Sequence, residues 1–157
     1  MPQIAKGGKF IFGWSIISSE GCVKIPEMTF NEYNLSIEQN VILISGSKIS
    51  GGFCVSNYSL MKSSIMNGLF LEYPEIREYS IREGNCIKFK GRLYCWVKLQ
   101  SDGIIKLTDY TMESFNIKPG NKLLSIRGSN IAFVLAAKGP LIEAANNYKG
   151  SIDEFIC

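Results

Sequence analysis

The sequence predicts a mainly β fold with short helices, built from two copies of one unit. Residues 10–54 align with residues 92–136 at an offset of 82 without a gap, and ten of the forty-five aligned positions are identical. Both copies alternate short aromatic and β-branched runs with turn residues, as strands and hairpins do. A chain of 157 residues with 46% hydrophobic content can bury a substantial core. We therefore expect the two repeats to form one compact unit.

The identical positions are mostly turn formers and core residues. They are Trp14/Trp96, Ser19/Ser101, Gly21/Gly103, Lys24/Lys106, Thr29/Thr111, Asn34/Asn116, Ile44/Ile126, Gly46/Gly128, Ser47/Ser129 and Ile49/Ile131. The duplication thus preserves a framework, and a function that depends on charge is expected where the copies differ.

Each copy is predicted to contain a hairpin, a short helix and a second hairpin. The expected strands of the first hairpin are 10–16 and 22–25, matched by 93–99 and 104–107 in the second copy. The short helices are expected within 26–34 and 108–116. The second hairpins are expected at 41–55 and 123–137, and their Gly-Ser pairs are interpreted as turns rather than as anion-binding loops.

The segments outside the duplication extend each repeat, so the two units are expected to span 1–91 and 92–157. Residues 59–68 have helical apolar spacing and are predicted to form a helix that ends at Gly68, with a shorter helix at 140–148. Residues 86–90 alternate like an edge strand. Lys88, Lys90 and Arg92 form a small basic cluster there, interpreted as an exposed strand face.

The composition excludes several classes of chemistry. Histidine is absent, which removes the commonest general base and metal ligand. The five cysteines form no CxxC pair, so neither a zinc site nor a disulfide framework is predicted, and buried or idle thiols are expected. No cofactor or metal is expected. The cysteines are Cys22, Cys54, Cys86, Cys95 and Cys157.

Hydropathy and charge limit the location and the partners of the protein. No apolar run is long enough to span a bilayer, and the first residues lack the apolar region of a secretory signal, so no membrane association and a cytoplasmic location are expected. The net charge is only +3, but residues 92–139 carry seven basic and three acidic residues, whereas residues 1–56 are neutral. The basic second repeat is suited to an anionic partner.

Two stretches resemble a known family. Gly21-x-Val23-x-Ile25-Pro26, followed by Leu35 and a short connector into a β-branched run at 41–44, is similar to the swapped-hairpin domain of AbrB, SpoVT, MazE and MraZ proteins. The second copy resembles the family's Ile-x-x-Gly-Asp-x-Leu connector at 117–123, with Asn121 in place of aspartate. The resemblance implies a pseudo-two-fold, double-split β-barrel formed by the two repeats, with packing helices attached.

The resemblance also implies DNA binding by a transcription regulator. The family commonly carries arginines in and beside the short helix, where this chain has residues 30–32 and 112–114 with no basic side chain. The candidate phosphate contacts are therefore the nearby cations of the strands and connectors, because duplex affinity rests largely on Lys and Arg. These candidates are Lys24, Lys106, Lys118, Lys122 and Arg127.

Two alternatives stay open from the sequence. The first is a protein-interaction or scaffold module, with a protein partner or a second copy of itself, that keeps the barrel without the nucleic-acid face; its motivation includes Tyr73, Tyr79 and Tyr94, expected to be exposed. The second is an enzyme or small-ligand binder. That alternative would require a pocket that brings Asp109 and Arg127 together, because no carboxylate pair has a spacing diagnostic of acid-base chemistry.

Overall fold

The mainly β fold class with short helices is confirmed by a computed structural model, which describes residues 9–157. The strands are β1 (Ile11–Ile16), β2 (Cys22–Lys24), β3 (Asn40–Ser45), β4 (Phe53–Ser56), β5 (Ile87–Phe89), β6 (Arg92–Lys98), β7 (Ile104–Lys106), β8 (Lys122–Ile126), β9 (Phe133–Ala136) and β10 (Glu154–Phe155). The helices are α1 (Glu27–Glu32), α2 (Tyr58–Met61), α3 (Gly68–Glu72), α4 (Pro74–Arg77), α5 (Asp109–Ser114) and α6 (Pro140–Asn146), with 3-10 turns at Leu35–Ile37 and Ile65–Asn67.

Eight of the strands form one open sheet in the order β10-β1-β8-β9-β4-β3-β6-β5. All neighbours are antiparallel except β1 and β10, which run parallel. The sheet is not closed into the expected barrel, because β10 and β5 lie at its two edges. β2 and β7 pair with each other as a two-stranded antiparallel ribbon. The first hairpin expected in each copy is therefore wrong, because β1 pairs with β8 and β10, and β6 pairs with β3 and β5.

The sheet buries apolar side chains on both faces. Along β3, Val41 and Leu43 belong to the main core, whereas Ile42 and Ile44 point to the opposite face, as the two-residue period of a strand requires. The main core is closed by the β2–β7 ribbon, since Val23 and Ile105 are fully buried in it. On the opposite face, α2, α3 and α4 cover one half of the sheet and α6 covers the other.

Local signals explain where the short helices begin and end. The Thr108 side chain accepts a hydrogen bond from the Thr111 N–H at 3.1 Å and caps α5, and the Asn57 side chain caps α2 in the same way at 2.9 Å. Asn34 and Asn116, just after α1 and α5, adopt left-handed conformations with φ of 51° and 56°. Asparagine tolerates this conformation better than most residues, so it ends both helices at little cost.

The predicted helix over 59–68 is wrong in its extent. The helix α2 ends at Met61, and Ser64 then accepts from the Met66 N–H and donates to the Met61 carbonyl oxygen, which directs the chain into a 3-10 turn. Gly68 begins α3 rather than ending a helix. Serine side chains compete with the backbone for hydrogen bonds, and this competition divides the expected helix into short pieces.

The last strands of the two second hairpins are offset by 80 residues, not 82, because β4 begins at Phe53 and β9 at Phe133. The gapless alignment therefore stops at the hairpin loops. Tyr94, expected to be exposed, is 3% exposed, because it lies on the face of β6 that packs under the helices.

Cys22 and Cys157 form a disulfide, with 6.3 Å between their Cα atoms, which corrects the expectation of idle thiols for these two residues. They lie 135 residues apart, so no local spacing could indicate the pair. β10 brings the residues just before Cys157 beside β1 and so towards β2. No helix within residues 9–157 is long and apolar enough to cross a bilayer.

Candidate functional site

The five cations expected to contact DNA are held by different parts of the fold. Lys24 and Lys106 lie on the outward side of the β2–β7 ribbon. The residue before each of them, Val23 or Ile105, points into the core, and neighbouring side chains of a strand point to opposite faces. The Lys24 Nζ donates a hydrogen bond to the carbonyl oxygen of Asp102. The structure therefore brings these two lysines to one face of a ribbon.

Lys122 begins β8, the third strand from the β10 edge of the large sheet, and its side chain contacts β1 and β10. Its Nζ lies 3.1 Å from a carboxylate oxygen of Glu154 on β10 and 4.7 Å from the centre of the Trp14 ring. The Glu154 carboxylate and the Trp14 ring therefore weaken the attraction of the Lys122 ammonium group for a phosphate.

Arg127 forms a two-point ion pair with Glu32, which lies at the end of α1. Its Nε donates to one carboxylate oxygen at 2.8 Å and its Nη2 to the other at 2.5 Å. The guanidinium also lies 4.5 Å from the centre of the Phe10 ring. Hydrogen bonding from Arg127 lowers the pKa of Glu32 below its usual value, against a smaller opposing effect of burial.

Lys118 lies beside carboxylates rather than beside the other cations. It lines an open groove of about 450 Å³ that also contains Asp109 and Glu113. Arg127 lines a different groove, together with Glu32 and Tyr33. Asp109 and Arg127, which the enzyme alternative requires to converge, therefore line different grooves.

The exposed charged side chains of α1 and α5 are all acidic. Glu27 and Glu32 lie on α1, and Asp109 and Glu113 lie on α5. Glu27 lines the same groove as Lys24, so its carboxylate opposes the attraction of that lysine for an anionic ligand.

An unpaired basic cluster lies elsewhere, on the β5–β6 hairpin. Lys88, Lys90 and Arg92 are all exposed, and across residues 9–157 none of them has a carboxylate within ion-pair distance. Lys90 and Gly91 both have positive φ, as the two central residues of a type I′ hairpin turn require. The turn therefore presents these charges at the tip of a rigid edge hairpin.

An apolar groove adjoins this hairpin on one face of the sheet. Phe89 and Tyr94 line it together with Ile65 and Met66 of the neighbouring 3-10 turn, and Lys90 and Arg92 line it as well. Ile65 is 92% exposed, the highest value among the large hydrophobic residues of the described chain.

The basic cluster was visible in the sequence as an alternation of charges, whereas the groove was not. The sequence placed Ile65 within a continuous helix, where its side chain would pack. Only the break after Met61 turns Ile65 outwards. We call Lys88, Lys90, Arg92, Ile65 and the free edge of β5 the hairpin surface.

Comparisons of the chain with protein-family models, with curated proteins and with solved structures find no match. The function proposed for the protein therefore depends on the geometry and chemistry of its own residues.

Proposed function

We propose that the protein is an interaction module that binds an extended acidic segment of a partner protein at the hairpin surface. The observation that carries this proposal is a basic cluster without carboxylate partners among residues 9–157, placed on a free sheet edge. An exposed edge strand offers unpaired backbone N–H and C=O groups to another strand. Strand addition of this kind combines backbone hydrogen bonds with side-chain pockets on alternate positions.

The two faces of β5 define the chemistry of the partner. Phe89 is buried on the groove side, so Lys88 points to the other face of the strand. An added strand would place an apolar side chain against Ile65 in the groove, with carboxylates near Lys90 and Arg92. Its alternate residues would place a carboxylate near Lys88.

The proposed architecture behind this surface is a tandem duplication with a pseudo-two-fold axis. The order of the six inner strands, β1-β8-β9-β4-β3-β6, reads the same from both ends when each strand is exchanged for its counterpart. In the β2–β7 ribbon, Val23 pairs with its own counterpart Ile105, and in the β4–β9 pair, Cys54 pairs with Val134. In a contact with two-fold symmetry each element meets its own counterpart, as it does in these two strand pairs.

The exchange of strands between the two proposed repeats also supports a tandem duplication. β1 of the first copy pairs with β8 of the second, and β6 of the second pairs with β3 of the first. Neither copy would have a complete sheet alone, since each relies on the other to cover its edges. This arrangement agrees with the swapped-hairpin resemblance, although the sheet is open.

Duplex DNA binding is the second candidate, favoured by Lys24 and Lys106 at equivalent positions on one ribbon face. Glu27 in the groove beside Lys24, together with the ion pairs of Lys122 and Arg127, reduces the positive field available to phosphates. We therefore place it behind the protein-interaction proposal.

The test is a selection of extended random peptides on the immobilised wild-type protein, followed by fluorescence anisotropy with each selected peptide. We expect enrichment of Asp and Glu around an apolar residue, and weakening of binding by at least about ten-fold in the triple variant Lys88→Glu, Lys90→Glu, Arg92→Glu. The matched control reverses three exposed lysines of other loops, Lys48, Lys138 and Lys149. Equal weakening in the control would overturn the proposal.

Two further arms separate the alternatives. Ile65→Asp should weaken peptide binding, whereas Ile49→Asp should not, because Ile49 is also highly exposed but lies on the β3–β4 loop. A labelled DNA duplex at low salt should give no saturable signal. Saturable duplex binding that is lost on removal of Lys24 and Lys106 would favour the second candidate instead.

A further inference from the structure

Two free thiols lie opposite each other where β5 meets β6. The ladder pairs Ile87 with Tyr94 and Phe89 with Arg92, so the same register places Cys86 opposite Cys95 one step further along. The chain before β5 stays beside β6, because the Gly84 N–H donates to the Trp96 carbonyl oxygen at 3.0 Å. Residues directly opposite in an antiparallel pair have Cα atoms roughly 4.5–5.5 Å apart, within the range that a disulfide spans.

The two thiols differ in their access to solvent. Cys95 is fully buried in the main core, whereas Cys86 is half-buried and packs against that core from its rim. The helix α5 lies above this segment, since the Thr111 hydroxyl donates to the Gly84 carbonyl oxygen at 2.7 Å. Because Cys86 is the more exposed of the two thiols, a reagent from solvent can reach it first.

We propose that Cys86 and Cys95 form a thiol-disulfide exchange site, in which Cys86 reacts with a low-molecular-weight disulfide and Cys95 resolves the product. The Cys86 thiolate attacks one sulfur of the reagent, forming a mixed disulfide and expelling one thiolate. Cys95 then loses its proton to solvent, and its sulfur attacks the Cys86 sulfur. The Cys86–Cys95 bond forms, the second thiolate leaves, and the reagent gains the two electrons that the protein sulfurs lose.

The electrostatic environment supports these roles. Hydrogen bonds with the Cys95 thiol and the Ser114 hydroxyl lower the pKa of Cys86 to about 7, against the opposing effect of burial. The pKa of Cys95 is raised by its contact with Cys86, by burial and by the Glu83 carboxylate. Cys86 is thus the attacking group near neutral pH, and resolution by Cys95 accelerates as the pH rises.

The third free thiol supplies an internal control. Cys54 is half-buried on β4, and burial raises its pKa against a smaller opposing effect of Arg92, so it should react slowly. Alkylation of the wild-type protein with iodoacetamide at pH 7 should therefore label Cys86 about ten-fold faster than Cys54. Labelling of Cys54 at an equal or greater rate would overturn the proposal without the use of any variant.

The direct test treats the protein with oxidised glutathione and maps the products by mass spectrometry. The wild type should give a peptide pair linked through Cys86 and Cys95, and Cys95→Ser should stop at a single glutathione adduct on Cys86. Cys86→Ser should give neither product. A Cys86→Ser variant that is oxidised at Cys95 as fast as the wild type, or a folded Cys95→Ser variant without an adduct, would contradict the proposal; Cys95→Ala is the substitute if the serine variant does not fold.

Discussion

Individual residues in the hairpin loops explain why certain glycines recur in both halves of the chain. A Cβ atom on Gly46 would overlap the Gly51 carbonyl oxygen, and one on Gly128 would overlap the Ala132 carbonyl oxygen. Each loop therefore folds back onto its own backbone so closely that only glycine fits. This is a steric requirement of the turn and needs no ligand, in agreement with the interpretation of the Gly-Ser pairs as turns.

Gly52 allows this steric effect to be separated from backbone strain. Gly52 and Gly120 both have positive φ, but a Cβ on Gly52 would overlap the Leu135 carbonyl oxygen, whereas one on Gly120 would meet no atom within 4 Å. Gly120→Ala should cost about 1 kcal/mol in the free energy of unfolding, and Gly52→Ala at least about 2 kcal/mol more. Urea denaturation measures both values, and equal losses would contradict the close approach of the Gly52 backbone to β9.

Glu32 offers a residue-level test by titration. Its pKa is lowered chiefly by the hydrogen bonds from Arg127, so Arg127→Gln should move it up towards the usual value of 4.5. A lowered pKa in the folded state stabilises the protein above the unfolded-state value, and the contribution is lost as the pH falls through the folded-state value. Carboxyl NMR titration measures the shift, and an unchanged pKa in Arg127→Gln would show that the ion pair does not form.

At the scale of elements, much of the regular structure could be predicted from the sequence. The ribbon strands β2 and β7 and the helices α1 and α5 lie within the expected ranges, because turn glycines, Pro26 and the asparagines mark their ends. The edge strand β5 is also at its expected place. These elements are specified by local chemistry that a single sequence displays.

Other elements depend on contacts that no local pattern contains. The strand β10 exists only because residues 154–155 pair with β1, which lies near the other end of the sequence. The disulfide and the groove beside Ile65 depend in the same way on long-range packing and on a helix break. Two of the candidate cations, Lys122 and Arg127, have carboxylate partners from distant segments, Glu154 and Glu32, which no local pattern indicates.

The strand β9 should contribute strongly to the free energy of unfolding through the burial of Phe133. Phe133 is fully buried in the main core and its ring centre lies 5.2 Å from that of Tyr33, so Phe133→Ala should cost about 3–5 kcal/mol in the free energy of unfolding. Ile65→Ala should change it by less than about 0.5 kcal/mol, because Ile65 is almost fully exposed. Chemical denaturation compares the two variants. A large loss in Ile65→Ala would show that the groove is closed in solution.

At the scale of the whole molecule, the disulfide joins Cys157 to the first half of the chain. A bond between Cys22 and Cys157 closes a loop of 135 residues in the unfolded chain. Stable disulfides are rare in the reducing cytosol, so this bond weighs against the cytoplasmic location expected from the sequence.

Removal of this bond should lower stability by about 2–4 kcal/mol, because the cross-link restricts the unfolded chain. Reduced wild type and unreduced Cys157→Ser should lose the same amount in denaturant titrations, since both lack the bond. A non-reducing digest should contain the linked peptides that include Cys22 and Cys157. Their absence, or a stability that reduction does not change, would contradict this assignment.

The proposed binding edge at β5, for an acidic and apolar partner segment, can be located by backbone NMR shift mapping with a selected peptide. We predict that the largest shifts fall on Ile87–Phe89 and around Ile65, and that they disappear in the triple charge-reversal variant. Shifts concentrated on the β2–β7 ribbon, with β5 unaffected, would show that the peptide binds elsewhere and would overturn the proposal.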